Sequence, residues 1–244
     1  MGLEMWYLGW DAFLLTTRRG TRILLDPFLS GIPEHHLKPS PVSIDELGRV
    51  DIIAVTHASK DHLGETFEVM KHGDSMLVCS VDVKHHANVL GYSDERIVLV
   101  VSGASYRHDD VTIKALDARH VSWSFLNGQP MMGPALSYLI QVDGEPTIYF
   151  GGDTSITYDM KLFGELYHPD IAMVGVGGAL IQGRTLEEMT PSEAALAVEF
   201  LGASTAIPMH YRDRQAAEDF REALRQKGRN VDVRIMEPRE IIRF

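Results

Sequence analysis

Cysteine is nearly missing from this chain of 244 residues: Cys79 is the only one, and it lies in the apolar run "SMLVCSV". A single thiol cannot close an internal disulfide, so the fold is expected to hold without cross-links in a reducing compartment, with Cys79 packed as a small hydrophobe. No apolar run approaches the ~18 residues of a membrane helix, and no basic start leads into an apolar stretch of the signal-peptide kind. The expected location is therefore cytoplasmic, with no membrane partner. Positive charge is also short: 23 Lys and Arg against 34 Asp and Glu leave a net charge of −11 with histidine neutral. The cations are scattered, so nothing forms a footprint for a phosphate backbone, and nucleic acid is not an expected partner. Long linkers, low-complexity segments and close internal repeats are absent too. With 45% hydrophobic residues the chain can bury one large core, and residues 1–244 read as one domain.

What is present alternates between strand and helix signals. "MWYLGWDAFLLTT" and "RILLDPF" read as two strands joined by the turn Arg18-Arg19-Gly20-Thr21. "DIIAVTH" is a short apolar strand, and "DHLGETFEVMKHG" places Leu63, Phe67 and Met70 at helical spacing before a Gly73 stop. "SMLVCSV", "RIVLVVSG" and "VTIKALDARH" are further strands. Asp143-Gly144 between "ALSYLIQV" and "PTIYFGGD" is a strong hairpin signal. A helix around "DMKLFGELY", the strand "DIAMVGVGG", a helix from Pro191 to Gly202, the strand "STAIPMHY", a helix around "AAEDFREALRQKG" and an extended "VDVRIMEP" complete the chain. Thr190-Pro191-Ser192-Glu193 has the residues of a capping box with proline at the first helical position.

The chemistry collects where apolar strands end. His57 follows "DIIAVT", His120 follows "VTIKALDAR", Asp153 follows "TIYFGG" and His210 follows "STAIPM"; Asp61 and His62 open the helix after the first of these. The carboxyl ends of strands line the ligand crevice of layered α/β proteins, because the sheet holds converging side chains rigidly there. Taken singly, each residue has an ordinary structural explanation: a hydrogen-bonded strand-end histidine, a Gly-Gly-Asp turn, or a first-turn acid favoured by the helix dipole. Together, four imidazoles and two carboxylates at one edge are the ligand set of zinc, manganese or iron rather than of calcium or a thiolate site. The remaining histidines, His35, His36, His72, His85, His86, His108 and His168, lack this placement and read as surface or supporting groups.

The ordered set "THASKDH", "ARH", "GGDT" and "PMHY" resembles the metallo-β-lactamase superfamily, whose signature is H-x-H-x-D-H followed by His, Asp and His. "LGWDAFLL", "ILLDPFL", "GGDTSITYDMKLFGELYHPDIAMVGVGG", "EMTPSEAALAVEFL" and "AIPMHY" are similar to the branch containing the L-ascorbate-6-phosphate lactonase and many uncharacterised metal-dependent hydrolases. The resemblance implies an α/β (α+β) fold of the αβ/βα four-layer sandwich kind, with one or two divalent transition metals (zinc, manganese or iron) at one edge and no other cofactor. One metal would be held by His57, the residue at 59, His120 and Asp153, and the other by Asp61, His62, Asp153 and His210. Metal-activated hydroxide would then attack an electrophilic carbon or phosphorus, with Asp61 or Asp153 as the candidate catalytic proton acceptor and Thr154 orienting a ligand.

Two departures from the pattern fall in this cleft. Ser59 stands where the signature has histidine, and a hydroxyl is a poor ligand for a borderline metal, so the first site is expected to be weakened. The stretch resembling "LGHSAF" reads "LGWDAF", with Trp10 at the histidine; Trp10 either packs in the core or reshapes the substrate pocket. Lys60 either neutralises an anionic substrate group or extends to solvent. The leading expectation is a hydrolase of a small lactone, ester or amide, with or without phosphate. A small or cyclic phosphodiesterase on the same site is the second, and a degenerate, non-catalytic ligand-binding member the third. Related hydrolases often assemble, which leaves a homo-oligomer open.

Overall fold

A computed structural model of the chain describes residues 2–181, 184–228 and 230–244. The first half runs through β1 (Glu4–Gly9), β2 (Ala12–Thr16), β3 (Arg22–Leu25), α1 (Ile44–Leu47), β4 (Ile52–Ala54), α2 (Lys60–Leu63), α3 (Thr66–Lys71), β5 (Met76–Cys79), α4 (Val81–Val89) and β6 (Ile97–Leu99). The second half runs through β7 (Ser105–His108), β8 (Val111–Leu126), β9 (Gln129–Val142), β10 (Ile148–Phe150), α5 (Asp159–Tyr167), β11 (Ile171–Gly175), β12 (Gly178–Ile181), β13 (Arg184–Glu187), α6 (Pro191–Leu201), β14 (Thr205–Met209), α7 (Arg214–Gln226), β15 (Asp232–Val233) and β16 (Ile241–Arg243). Two seven-stranded sheets result, in the orders β16-β1-β2-β3-β4-β5-β6 and β15-β14-β11-β10-β9-β8-β7, beside the antiparallel pair β12-β13.

The layers follow from strand alternation, since successive side chains point to opposite faces. In β4, Ile52 and Ala54 face the second sheet while Ile53 faces the helices; in β11, Ile171 and Met173 face the first sheet while Ala172 and Val174 face the other way. The central core therefore joins Met5, Phe13, Leu25 and Val78 to Ile113, Tyr138, Phe150 and Ile207. Phe67, Met70, Val83 and Ala87 of α3 and α4 cover the outside of the first sheet. Phe163, Val198, Leu201 and Phe220 of α5, α6 and α7 cover the outside of the second. These are the four layers α, β, β, α.

Several elements depart from the sequence reading. "MWYLGWDAFLLTT" is not one strand but the hairpin β1-β2, turning at Gly9-Trp10-Asp11 with Trp10 at φ 55° and a register shift between Tyr7 and Gly9. Alternation of apolar residues continues through this turn, so periodicity could not reveal it. The helix expected over "DHLGETFEVMKHG" breaks at Gly64, φ 43°, where a Cβ would collide with the Pro27 carbonyl. The chain instead closes onto the β3 loop, and Glu65 Oε2 accepts from Leu29 N at 2.5 Å. The strand "VTIKALDARH" does not stop at His120 but continues to Leu126, with a bulge in which Ala118, Arg119 and His120 oppose Ala135 alone. Helix α4 and strands β7, β12, β13 and β16 carried no clear pattern. The Thr190 capping box is formed: Thr190 Oγ1 accepts from Glu193 N at 3.3 Å, and Glu193 Oε2 accepts from Thr190 N at 2.8 Å.

Candidate metal centre

Strand direction decides what meets at the rim. β3 and β4 run parallel, as do β10, β11 and β14, so the segments leaving β3, β4, β10 and β14 bring Asp26, His57, Asp153 and His210 to one edge. β2 runs antiparallel to β3 with Phe13 opposite Leu25, which carries the β1-β2 turn, and Asp11 with it, to the same edge. The bulge in β8 turns His120 inward, and α2 supplies Asp61 and His62 one turn after His57. Leu136 N donates to Thr56 O at 3.0 Å, tying the second sheet to the His57 loop.

Asp153 stands at the centre. Its Oδ2 is 3.2 Å from His62 Nε2, 3.8 Å from His120 Nε2 and 3.9 Å from His57 Nε2, while its Oδ1 is 3.1 Å from His210 Nε2. Asp61 Oδ2 lies 3.7 Å from His210 Nε2 and 3.9 Å from His62 Nε2. All six histidines and aspartates expected at the site are thus brought together. His57, His62, Asp153 and His210 are buried, whereas the His120 side chain is 28% exposed and that of Asp61 22%.

The supporting contacts differ between the two sides. His62 Nδ1 lies 2.8 Å from Asp26 Oδ2, and Asp26 also accepts from Thr56 N at 2.8 Å and Thr56 Oγ1 at 2.6 Å. This fixes the ring with Nε2 toward Asp153, in the manner by which an outer carboxylate orients a ligating imidazole. His210 Nδ1 lies 3.5 Å from Glu188 Oε2, and the Trp10 ring packs on the His210 ring at 4.2 Å between centroids. On the other side His57 Nδ1 meets, among the described residues, only the Thr56 hydroxyl, at 3.1 Å.

Ser59, Trp10, Lys60 and Thr154 resolve differently. The Ser59 hydroxyl donates to Trp123 O at 3.3 Å, so it is engaged with the β8 backbone. Trp10 is in the pocket: its indole N–H donates to Asp61 Oδ2 at 3.3 Å. Lys60 is exposed and its ammonium makes no ion pair or hydrogen bond among the described residues, as expected of a side chain extended to solvent. Thr154 Oγ1 accepts from Arg119 N at 2.9 Å, which anchors the bulge that carries His120. Among the other histidines, His86 is buried against Ser124 at 2.8 Å, outside the centre.

Three carboxylates here escaped the sequence reading. Asp26 ends an apolar strand like the ligands themselves, so the signal was present in "ILLDPF". Asp11 is fully buried yet sits in an uninterrupted apolar run, where a charged residue demands a reason. Glu188 follows β13 in sequence and carried no signal.

The charges reinforce the division. Burial pushes the His62 imidazole down, but Asp153 and Asp26 outweigh it and hold the proton affinity well above the ordinary value. The His210 imidazole is likewise raised, to about 10, where Asp153 and Asp11 overcome burial. His57 and His120 are shifted the opposite way, chiefly by burial. Burial also lifts Asp11 to about 7, against the pull of His210 and His62, and lifts Glu188 to about 7 with the help of Asp153. Asp153 lies well below the usual carboxylate range because His210 and His62 outweigh its burial. His57 Nε2, His62 Nε2, His210 Nε2 and Asp153 Oδ1 are buried without a hydrogen-bond partner among the described residues. Buried polar atoms are ordinarily satisfied, so nitrogens and oxygens left facing one another fit a transition-metal ion. Two groupings satisfy the spacing, with ligand atoms within 4.8 Å of one another: His57, His120 and Asp153, and Asp11, His62, Asp153 and His210.

Residues 21–211 match the beta-lactamase superfamily domain. The chain belongs to that superfamily and, within it, to the UPF0173 metal-dependent hydrolases. It is 32% identical to the UPF0173 metal-dependent hydrolase of Methanopyrus kandleri over 243 residues, 98% of each chain. It is 35% identical to the Thermococcus kodakarensis counterpart over 236 residues, 96% of each. The fold is shared with Igni18, a metallo hydrolase from Ignicoccus hospitalis, at a TM-score of 0.80 and 23% identity, covering 99% of this chain and 98% of that one.

Proposed function

We propose that the protein hydrolyses a small carboxylic substrate, a lactone, ester or amide with or without a phosphate group, at a metal centre built on Asp153. The observation that carries this reading is the convergence of partnerless buried atoms of His57, His62 and His210 on Asp153. His62, Asp153 and His210, with Asp61, would hold the principal metal, and His57, His120 and the shared Asp153 a weaker second. A divalent ion bound there supplies a Lewis acid for the scissile carbonyl and acidifies a water.

The chain's own groups do the rest. His57, His62 and His210 close the back of the pocket to solvent, leaving access on the side of Asp61 and His120. Asp61 accepts the Trp10 N–H with one oxygen, which stops the carboxylate from swinging. Its proton affinity lies below the usual carboxylate range, because His210 and His62 outweigh burial. With Oδ2 turned to Trp10, His62 and His210, the other oxygen of Asp61 would orient an attacking water by accepting its hydrogen bond. The Trp10 ring packs against His210 at the same rim and narrows the space beside it.

Elemental analysis of protein purified without chelator, followed by a panel of lactones, p-nitrophenyl acetate and bis(p-nitrophenyl)phosphate, tests the reading. Metal at about one equivalent, with carboxylic substrates turned over faster than the phosphodiester, is the expected outcome. Faster phosphodiester turnover would replace the reading with a phosphodiesterase. Less than about 0.3 equivalents of any transition metal, with no gain on reconstitution, would leave a ligand-binding protein in its place.

A further inference from the structure

Asp11 and Asp26 are both fully buried at the same rim, and only one of them has partners. Asp26 receives three groups, Thr56 N, Thr56 Oγ1 and His62 Nδ1. Neither oxygen of Asp11 has a hydrogen-bond partner among the described residues. His62 Nδ1 lies 3.6 Å from Asp11 but is already engaged by Asp26 at 2.8 Å. A carboxylate buried without any hydrogen bond is among the costliest arrangements a fold can keep. The turn that holds it is itself unusual, with a tryptophan at φ 55° in the position before.

A cation would account for it. One Asp11 oxygen belongs to the grouping with His62, Asp153 and His210. We propose that Asp11 is a direct ligand of the metal held by His62, Asp153 and His210, and that this surplus carboxylate makes the centre select manganese(II) or iron(II) over zinc. With Asp61 beside His62 and His210, the set comprises two imidazoles and three carboxylates. Five protein donors exceed the four of the usual tetrahedral zinc site, and an oxygen majority suits the harder ions that accept six ligands. The Asp11 carboxylate adds a donor beside His62 and His210, whereas Ser59, turned to the Trp123 carbonyl, adds none beside His57 and His120. The centre thereby becomes lopsided, and one metal rather than two is its natural load.

This inference rests on the metal site proposed above, and metal binding separates the two. Chelator-stripped protein would be titrated calorimetrically with Mn(II) and with Zn(II), for the wild type, Asp11→Asn and Asp11→Ser. Melting of the metal-free forms shows that the variants fold. The expected result is a loss of Mn(II) affinity on the order of 100-fold in both variants, against less than about 10-fold for Zn(II), together with an altered Mn(II) electron paramagnetic resonance spectrum. Equal losses for both metals would overturn the selectivity, and an unchanged Mn(II) spectrum in the variants would make Asp11 a positioning residue and overturn the ligand assignment. Unchanged affinities in both variants would overturn it too, while leaving the hydrolase reading intact. A wild type that binds neither metal would sink both at once.

Discussion

The two halves of the centre share Asp153 and differ in almost everything else. On the His62 and His210 side the rings are buried, backed by Asp26 and Glu188, covered by Trp10 and surrounded by carboxylates that favour a positive charge. On the His57 and His120 side one imidazole is replaced by Ser59, whose hydroxyl is tied to the β8 backbone, and His120 is partly open to solvent on a bulge. A ligand is only as good as the structure that holds it, because an outer partner fixes ring orientation and raises basicity. The His57 and His120 side carries Ser59 where the signature has an imidazole, and among the described residues no carboxylate is hydrogen-bonded to the His57 ring; the His62 and His210 side is the one with acidic neighbours.

Three measurements test this contrast. The largest effect is expected from His62→Ala, which should cost hydrolysis on the order of 1000-fold and strip the bound metal, while His120→Ala costs about 10-fold. Equal losses in kcat/KM for the two variants would erase the distinction between the halves. A smaller gain is expected from Ser59→His: restoring the imidazole should raise metal content from one toward two equivalents, strengthening the second site about 10-fold, as read by equilibrium dialysis. No increase would place the deficit in the missing outer partners rather than in the ligand itself.

The third effect is on stability and depends on pH. In the metal-free protein His210 is raised from 6.5 to about 10, so the stability it contributes is complete below pH 6.5 and is lost as pH rises through 10. Asp11, raised from 3.8 to about 7, has the same sign: its contribution is complete below 3.8 and lost as pH rises through 7. Melting temperature without metal should therefore fall from neutral to alkaline pH. Metal affinity should climb over the same interval, because the ion displaces those protons. A flat melting profile in chelator would show that the imidazoles on this side are already neutral.

Most of the residues that converge at the candidate centre were legible because metal chemistry restricts ligands to few residue types and because each stands at or just beyond an apolar strand, so His57, Asp61, His62, His120, Asp153 and His210 could be collected without knowing how the strands pair. Asp26 obeyed the same rule and went unread only because it has no imidazole neighbour in sequence. Asp11 was hidden for a physical reason: a tight turn between two apolar strands leaves the alternation of side chains undisturbed, so the hairpin at Trp10 looked like a continuous strand. The bulge at His120 was invisible for the same cause, since a strand can lengthen and shift register without any change in residue type.

By itself the sequence determined the layers, because period-two burial in strands and amphipathic helices can be satisfied only by sheets covered on their outer faces, and it determined the types of atom available to a metal. Tertiary structure alone decided which of those atoms share a space and which carboxylates back them. Strand direction and register, set by pairing between segments as far apart as Glu4 and Arg243, fix distances that no local pattern encodes.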